Sequence, residues 1–160
     1  MKTVYIETSI ISYLTARPSY DVRVIAWQEM TARWWQIAPE QYDLYVSELV
    51  RQEAGRGDAD AAERRLGAIS RLPELKHIPE ASVLAECFLN SGAIPFAAGE
   101  DAAHVALAAV HNMDFLLTWN CRHINNAEKK PLIRRLCGEQ GFVCPEICTP
   151  FELLKDEVQL

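Results

Sequence analysis

The sequence predicts an α/β domain of three layers, α/β/α, with a mostly parallel central sheet. Three observations carry that reading. Short β-prone runs alternate with longer helical segments from end to end. The main apolar runs stop abruptly in polar residues, as strands do where the chain turns into a helix. One helical segment, Asp101 to Val110, is small and apolar almost all round, which is expected of a helix buried against a sheet.

Thr3-Val4-Tyr5-Ile6 is the first strand. Glu7-Thr8-Ser9 follows and leads into a short helix, Ile10 to Leu14, with Thr8 or Ser9 as its cap. Pro18 to Asp21 breaks the pattern, and Ser19 or Asp21 opens a long helix from Val22 to about Ile37, ending before Pro39. Val24, Trp27, Thr31, Trp34 and Trp35 recur along it at near-helical intervals. That aromatic stripe reads first as core packing and second as a partner or dimer surface.

Asp43 to Val46 is the second strand, and Ser47 caps a helix through Glu48 to Glu53 that Gly55 and Gly57 end. Asp58 starts another helix. Leu75 to Ile78 is a weaker third strand between Pro73 and Pro79, and Ala81 to Asn90 is helical again. Asp114 to Thr118 is the fourth strand. A basic helix from Ala127 to Cys137 follows, and Phe142-Val143 with Ile147 to Thr149 offers a last short strand.

The 160 residues fit one domain, 1–150, with a C-terminal extension, 151–160, polar enough at its end to fray. Sixteen Lys and Arg against 22 Asp and Glu give a formal net charge of -6. A polyanion is repelled by that average field, so a protein that simply coats nucleic acid is disfavoured. Carboxylates that hold a cation would contribute to the same total. No signal peptide or membrane-length apolar run is present, which makes the cytoplasm the expected compartment. The cysteines, Cys87, Cys121, Cys137, Cys144 and Cys148, are odd in number and irregular in spacing, unlike a disulfide framework or a zinc site built on CxxC pairs.

Ligands of such folds bind outside the carboxyl ends of the strands. The polar residues expected there are Glu7 after the first strand, Ser47 and Glu48 after the second, and Asn120 after the fourth, just past Thr118. Glu53 lies further along the second strand's helix, and Asp101 opens the buried one. Three carboxylates and an amide suit Mg²⁺ or Mn²⁺, which prefer oxygen ligands and can activate water against a phosphodiester. Glu48 and Glu53, five positions apart, do not share a helical face. His104 lies on the same helical face as Asp101 and can bond it, reach phosphate, or sit as a satisfied core histidine. His123 can touch substrate or tie its loop together. Glu53-Ala54-Gly55-Arg56-Gly57 lacks the pattern of a phosphate loop, so no nucleotide cofactor is expected.

The order of these segments resembles the PIN domain family, specifically toxins of the VapC type. The resemblance runs through Val4-Tyr5-Ile6-Glu7-Thr8-Ser9, Tyr45 to Glu53, Asp101-Ala102-Ala103-His104-Val105-Ala106, and Leu117-Thr118-Trp119-Asn120-Cys121-Arg122-His123-Ile124. It implies a ribonuclease whose acidic cluster holds Mg²⁺ or Mn²⁺ and leaves a 5′-phosphate and a 3′-hydroxyl. It also implies RNA as substrate, an antitoxin protein as partner, and a homodimer. Carried onto this chain, Glu7 matches the first family aspartate, Glu53 the second acid and Asp101 the third, and Asn120 takes the place of the fourth. Glu7 and Asp101 would then bind the cation directly. Glu53 would act through water or help activate the nucleophile, with Thr118, Asn120 and Ser9 positioning water or phosphate. Glu7 for aspartate and Asn120 for an acid are departures that should lower metal affinity. Arg51, Arg122, His123, Lys129 and Lys130 are candidate RNA contacts. The alternative is a catalytically weak or inactive PIN-fold module that binds protein or RNA; a small-molecule phosphatase is a third reading, which would need an enclosed pocket.

Overall fold

The computed structural model describes residues 1–155. Its five strands are β1 (Lys2–Ile6), β2 (Tyr42–Ser47), β3 (Glu74–Leu75), β4 (Phe115–Leu117) and β5 (Glu146–Cys148). They form one sheet in the order β3-β2-β1-β4-β5, parallel throughout. Val4 pairs with Leu44 on one side of β1 and with Phe115 on the other. Val4, Tyr5 and Ile6 are all fully buried, as a strand covered on both faces requires.

The helices are α1 (Thr8–Thr15), α2 (Val22–Gln41), α3 (Glu48–Ala54), α4 (Ala59–Ile69), α5 (Pro79–Asn90), α6 (Gly99–Val110), α7 (Lys130–Glu139) and α8 (Pro150–Leu153). Parallel strands joined by right-handed crossovers put a helix on one face or the other according to the direction of travel. The chain moves from β1 to β3 in one direction, so α1 to α4 share a face. It then jumps back past β1 to β4 and β5, so α5, α6 and α7 cover the other face. The packing agrees: α1 contacts α2, α3 and α4, and α5 contacts α6 and α7. The result is the expected three-layer α/β/α arrangement. Ala102, Val105, Ala106 and Ala109 are buried along α6, and side chains this small let it sit close to its neighbours.

Several boundaries depart from the sequence expectation. The long helix does not stop before Pro39 but runs to Gln41, with Tyr42 N–H bonding Ala38 O at its end. Pro39 lies in the last turn, where its missing N–H removes a single rung. The third strand is Glu74–Leu75, not Leu75 to Ile78. Pro73 serves the sheet only as an acceptor for Val46 N–H at 3.0 Å, and Pro79 already begins α5. The basic helix starts at Lys130, with Pro131 in its first turn, rather than at Ala127. The last strand is Glu146–Cys148, and Phe142-Val143 stays outside the sheet. Within the C-terminal segment, α8 packs on α2 with Leu153 buried; the expected fraying of residues 156–160 lies outside the described residues. Among the described residues no helix is long and apolar enough to cross a membrane.

Candidate active site

The strand order reverses direction between β1 and β4, so the crevice at their carboxyl ends is the expected ligand site of the sheet. Glu7 follows β1 and Thr118 follows β4, and the two meet there. Glu7 N–H donates to Leu117 O at 3.1 Å, which carries the β1–β4 pairing one step past the strands. The Glu7 side chain turns back to cap α1: its Oε2 accepts Ser9 N–H at 3.1 Å and Ser9 Oγ–H at 2.5 Å. The α1 cap is therefore Glu7, not Thr8 or Ser9, because the longer carboxylate reaches its own helix N-terminus. Thr118 Oγ1 donates to the same Oε2 at 2.7 Å. Ser9 Oγ in turn accepts Trp119 N–H at 2.8 Å, so Ser9 ties the two strand ends together.

Glu7 is almost wholly buried, and three donors converge on Oε2. Its Oε1 takes no bond among the described residues, yet it is not a buried orphan atom. It therefore reaches solvent, in an orientation that the other oxygen fixes.

Glu53 comes from α3. Its Oε1 accepts Thr8 Oγ1–H at 2.6 Å and faces His104 Nε2 at 2.5 Å. His104 is fully buried on α6, and its Nδ1 lies 2.7 Å from Tyr5 OH. Tyr5 OH is also 2.7 Å from Ser47 Oγ, which accepts Val50 N–H as the cap of α3. A neutral His104 with its proton on Nε2 satisfies the whole row: Ser47 donates to Tyr5, Tyr5 to Nδ1, and Nε2–H to Glu53. Burial opposes charge on this imidazole, but the bond to Glu53 and the charges of Glu7, Glu53 and Asp101 prevail and raise its pKa. Burial raises the Tyr5 phenol well above its usual range; the Ser47 bond opposes this, and the charges of Glu7 and Glu53 add to it. His104 is thus a satisfied core histidine that bonds Glu53 rather than Asp101, and all three expected acids act on it.

Asp101 sits in the first turn of α6, which begins two residues earlier, at Gly99. Its partner is His123, with Nδ1 3.0 Å from Oδ2. Asn120 joins the same loop: its Oδ1 accepts His123 N–H at 3.0 Å, and its own N–H donates to Thr118 Oγ1 at 2.9 Å. The TWN-x-x-H stretch is therefore one hydrogen-bonded unit. Asn120 braces His123, and His123 braces Asp101.

Two residues stand apart from their expected places. Glu48 is exposed and lines a separate pocket between α3 and α6. Arg51 is not a free cation for RNA: it pairs with Glu74 and donates to Ile69 O and Leu72 O at 3.2 and 2.9 Å, clamping α3 to the end of α4 and to β3. Glu100 was not anticipated. Arg56 grips both its oxygens, at 2.8 and 3.0 Å, and holds its carboxyl below the usual carboxylate range. Arg56 and Glu100 are 44 residues apart, so no sequence signal marks the pair.

The donor set fits a hard divalent cation. Glu7, Glu53 and Asp101 each present one oxygen that hydroxyl or imidazole groups hold, and among the described residues no hydrogen bond engages the other. Outer bonds of this kind fix ligand orientation around metals. The acids do not close on a point. Among the described residues no three His, Cys, Asp or Glu side chains stand ready to ligate one ion unmoved.

No family model matches the chain, and no curated protein matches it. Among solved structures, the fold is similar to a chain in the crystal structure of VapBC2 from Rickettsia felis bound to a DNA fragment from their promoter. The TM-score is 0.57 at 12% identity, over 79% of this chain and 94% of that chain. At that identity the likeness is one of fold, and this chain shares its α/β/α fold with a component of that VapBC2 structure.

Proposed function

We propose that this protein is a divalent-metal-dependent endoribonuclease of the PIN type, the toxin of a toxin–antitoxin pair. The observation that carries the reading is that Glu7, Glu53 and Asp101, from separate parts of the chain, each have one carboxylate oxygen held by hydroxyl or imidazole groups and the other free of hydrogen bonds among the described residues. Glu7 and Asp101 would hold Mg²⁺ or Mn²⁺ directly, with Glu53 reaching it through water. A bound cation of this class supplies charge that activates water and stabilises the leaving oxygen of a phosphodiester.

The chain's own groups set the geometry. Ser9 and Thr118 aim Glu7, His104 and Thr8 aim Glu53, and His123 aims Asp101. Arg122, Lys129 and Lys130 would supply positive charge for the RNA strand that the chain's net charge otherwise repels. We place the antitoxin, or a second copy of the chain, on α2 and α8. There Val22, Ile25 and Phe151 are exposed, and Met30 and Leu154 line a shallow groove. The fold likeness to a VapBC2 component supports a partner of that kind. The cytoplasm is the compartment this function requires.

The deciding assay incubates purified protein with a mixed pool of structured RNAs in Mg²⁺, Mn²⁺ or EDTA, beside Asp101→Asn. Metal-dependent cleavage that disappears in the variant is expected. Cleavage that survives both EDTA and the substitution would refute the assignment. A second reading, a non-catalytic RNA- or protein-binding module, draws on Asn120, whose side-chain oxygen braces a turn in place of an acid. RNA binding with no cleavage in any metal would favour it.

A further inference from the structure

The carboxyl edge of the sheet continues past the acidic crevice. Beyond β2, at the end of β3, α3 and α6 leave a cavity of about 250 Å³ between them. Neighbouring strands lie about 4.8 Å apart, so this cavity is roughly 10 Å along the edge from β1. It shares its two helical walls with the acids: α3 carries Glu53, and α6 carries Asp101.

The apolar lining includes Leu49, Leu75 and Leu107; of the polar groups Ser47, Glu48, Gln52 and His77, Ser47 is already bonded to Tyr5 and Val50. Glu48 and Gln52 are one helical turn apart and share a face. Gln52 Nε2 donates to Glu48 Oε1 at 3.4 Å, a long bond that leaves the carboxylate free to take better donors. His77 Nε2 is already matched to Ser82 Oγ at 3.1 Å. Among the described residues no lysine or arginine lines the cavity. A phosphate there would face Glu48 without a countercharge, whereas a flat uncharged ring would meet apolar walls and a carboxylate acceptor.

We propose that this cavity receives a guanine base of the RNA strand and that Glu48 selects it. The inference rests on the nuclease reading of the adjoining crevice. Guanine presents N1–H and an N2 amine side by side, matching the two oxygens of one carboxylate, with O6 next to them for the Gln52 amide. Adenine and cytosine place an acceptor ring nitrogen beside a single amine, and uracil flanks its one N–H with two carbonyls. Each of those would set an acceptor against Glu48.

The test is fluorescence anisotropy of labelled uridine hexamers that carry a single guanosine, inosine or adenosine. Inosine lacks only the N2 amine. Wild-type protein should bind the guanosine hexamer at least about fivefold more tightly than the other two. Glu48→Gln should bind all three alike; Glu48 is exposed, so this variant is expected to fold. Equal wild-type affinities, no binding, or a guanosine preference that survives Glu48→Gln would overturn the proposal. Cleavage of the same hexamers in Mg²⁺ and Mn²⁺ separates this inference from the nuclease reading. Cleavage without guanosine preference would remove the pocket and keep the nuclease; Glu48-dependent guanosine binding without cleavage would do the reverse.

Discussion

Thr118 donates its hydroxyl proton to Glu7 Oε2 at 2.7 Å, and the same hydroxyl oxygen accepts Asn120 N–H at 2.9 Å. One side chain thereby aligns the carboxylate after β1 with the loop after β4. Thr118→Val keeps the shape and removes both bonds. Both are buried or nearly so, and leaving their partners unmatched should cost about 1–3 kcal/mol of stability. Under the nuclease reading, metal-dependent RNA cleavage should fall with it, because Glu7 loses one of the donors that aim it. Urea denaturation and initial cleavage rates measure the two effects. A variant equal to wild type in both would show that Thr118 aligns nothing.

Pro39 sits exposed in the last turn of α2 and offers no N–H to Trp35 O, the acceptor four residues back. Pro39→Ala restores that rung and is expected to raise stability by about 1 kcal/mol. That is less than the roughly 3 kcal/mol of a mid-helix proline, and the freer unfolded chain offsets part of the gain. A shift of the denaturant midpoint at constant slope is the expected signature. A drop in the midpoint would mean that the proline ring shapes the entry into β2.

Asp21 caps α2 by accepting Arg23 N–H at 2.9 Å and Val24 N–H at 3.4 Å. The Arg23 side-chain bond, and next its backbone N–H, hold the Asp21 carboxyl below its ordinary range. A group whose folded pKa is depressed adds stability above its unfolded pKa and loses it as the pH falls through the folded one. Asp21→Asn still caps the helix but does not titrate. It should therefore lose less stability than wild type below about pH 4, the range where free aspartate protonates. Denaturation midpoints followed down in pH read this directly, and parallel acid limbs would exclude a contribution from Asp21.

The sheet was legible because β1, β2 and β4 are apolar runs that stop at Glu7, Ser47 and Thr118, and those stops mark the carboxyl edge, where open α/β sheets bind ligands. Glu7 was legible at that edge for the same reason, and the PIN resemblance offered Glu53 and Asp101 as candidates beside it. What holds them was less legible. Tyr5 reads in sequence as an ordinary strand residue, yet its hydroxyl joins Ser47 to His104 across three elements. His104 pairs with an acid 51 positions away rather than with the nearby Asp101, because burial on the sheet side of α6 turns its ring toward Tyr5 and α3. Arg51 looked free because charge alone does not reveal that two backbone carbonyls and Glu74 surround it.

The central position of β1 also sets when the crevice can exist. Glu7 and Thr118 are 111 residues apart, and both of β1's sheet partners arrive later in the chain. At ribosomal rates of about 5–20 residues per second, Glu7 emerges roughly 5–20 s before the threonine that aims it. Sheets built on such distant pairings also form slowly once the chain is free. A nascent or truncated chain that ends short of β4 carries the first acid without the crevice. Whatever chemistry the site performs is withheld until most of the protein has been made.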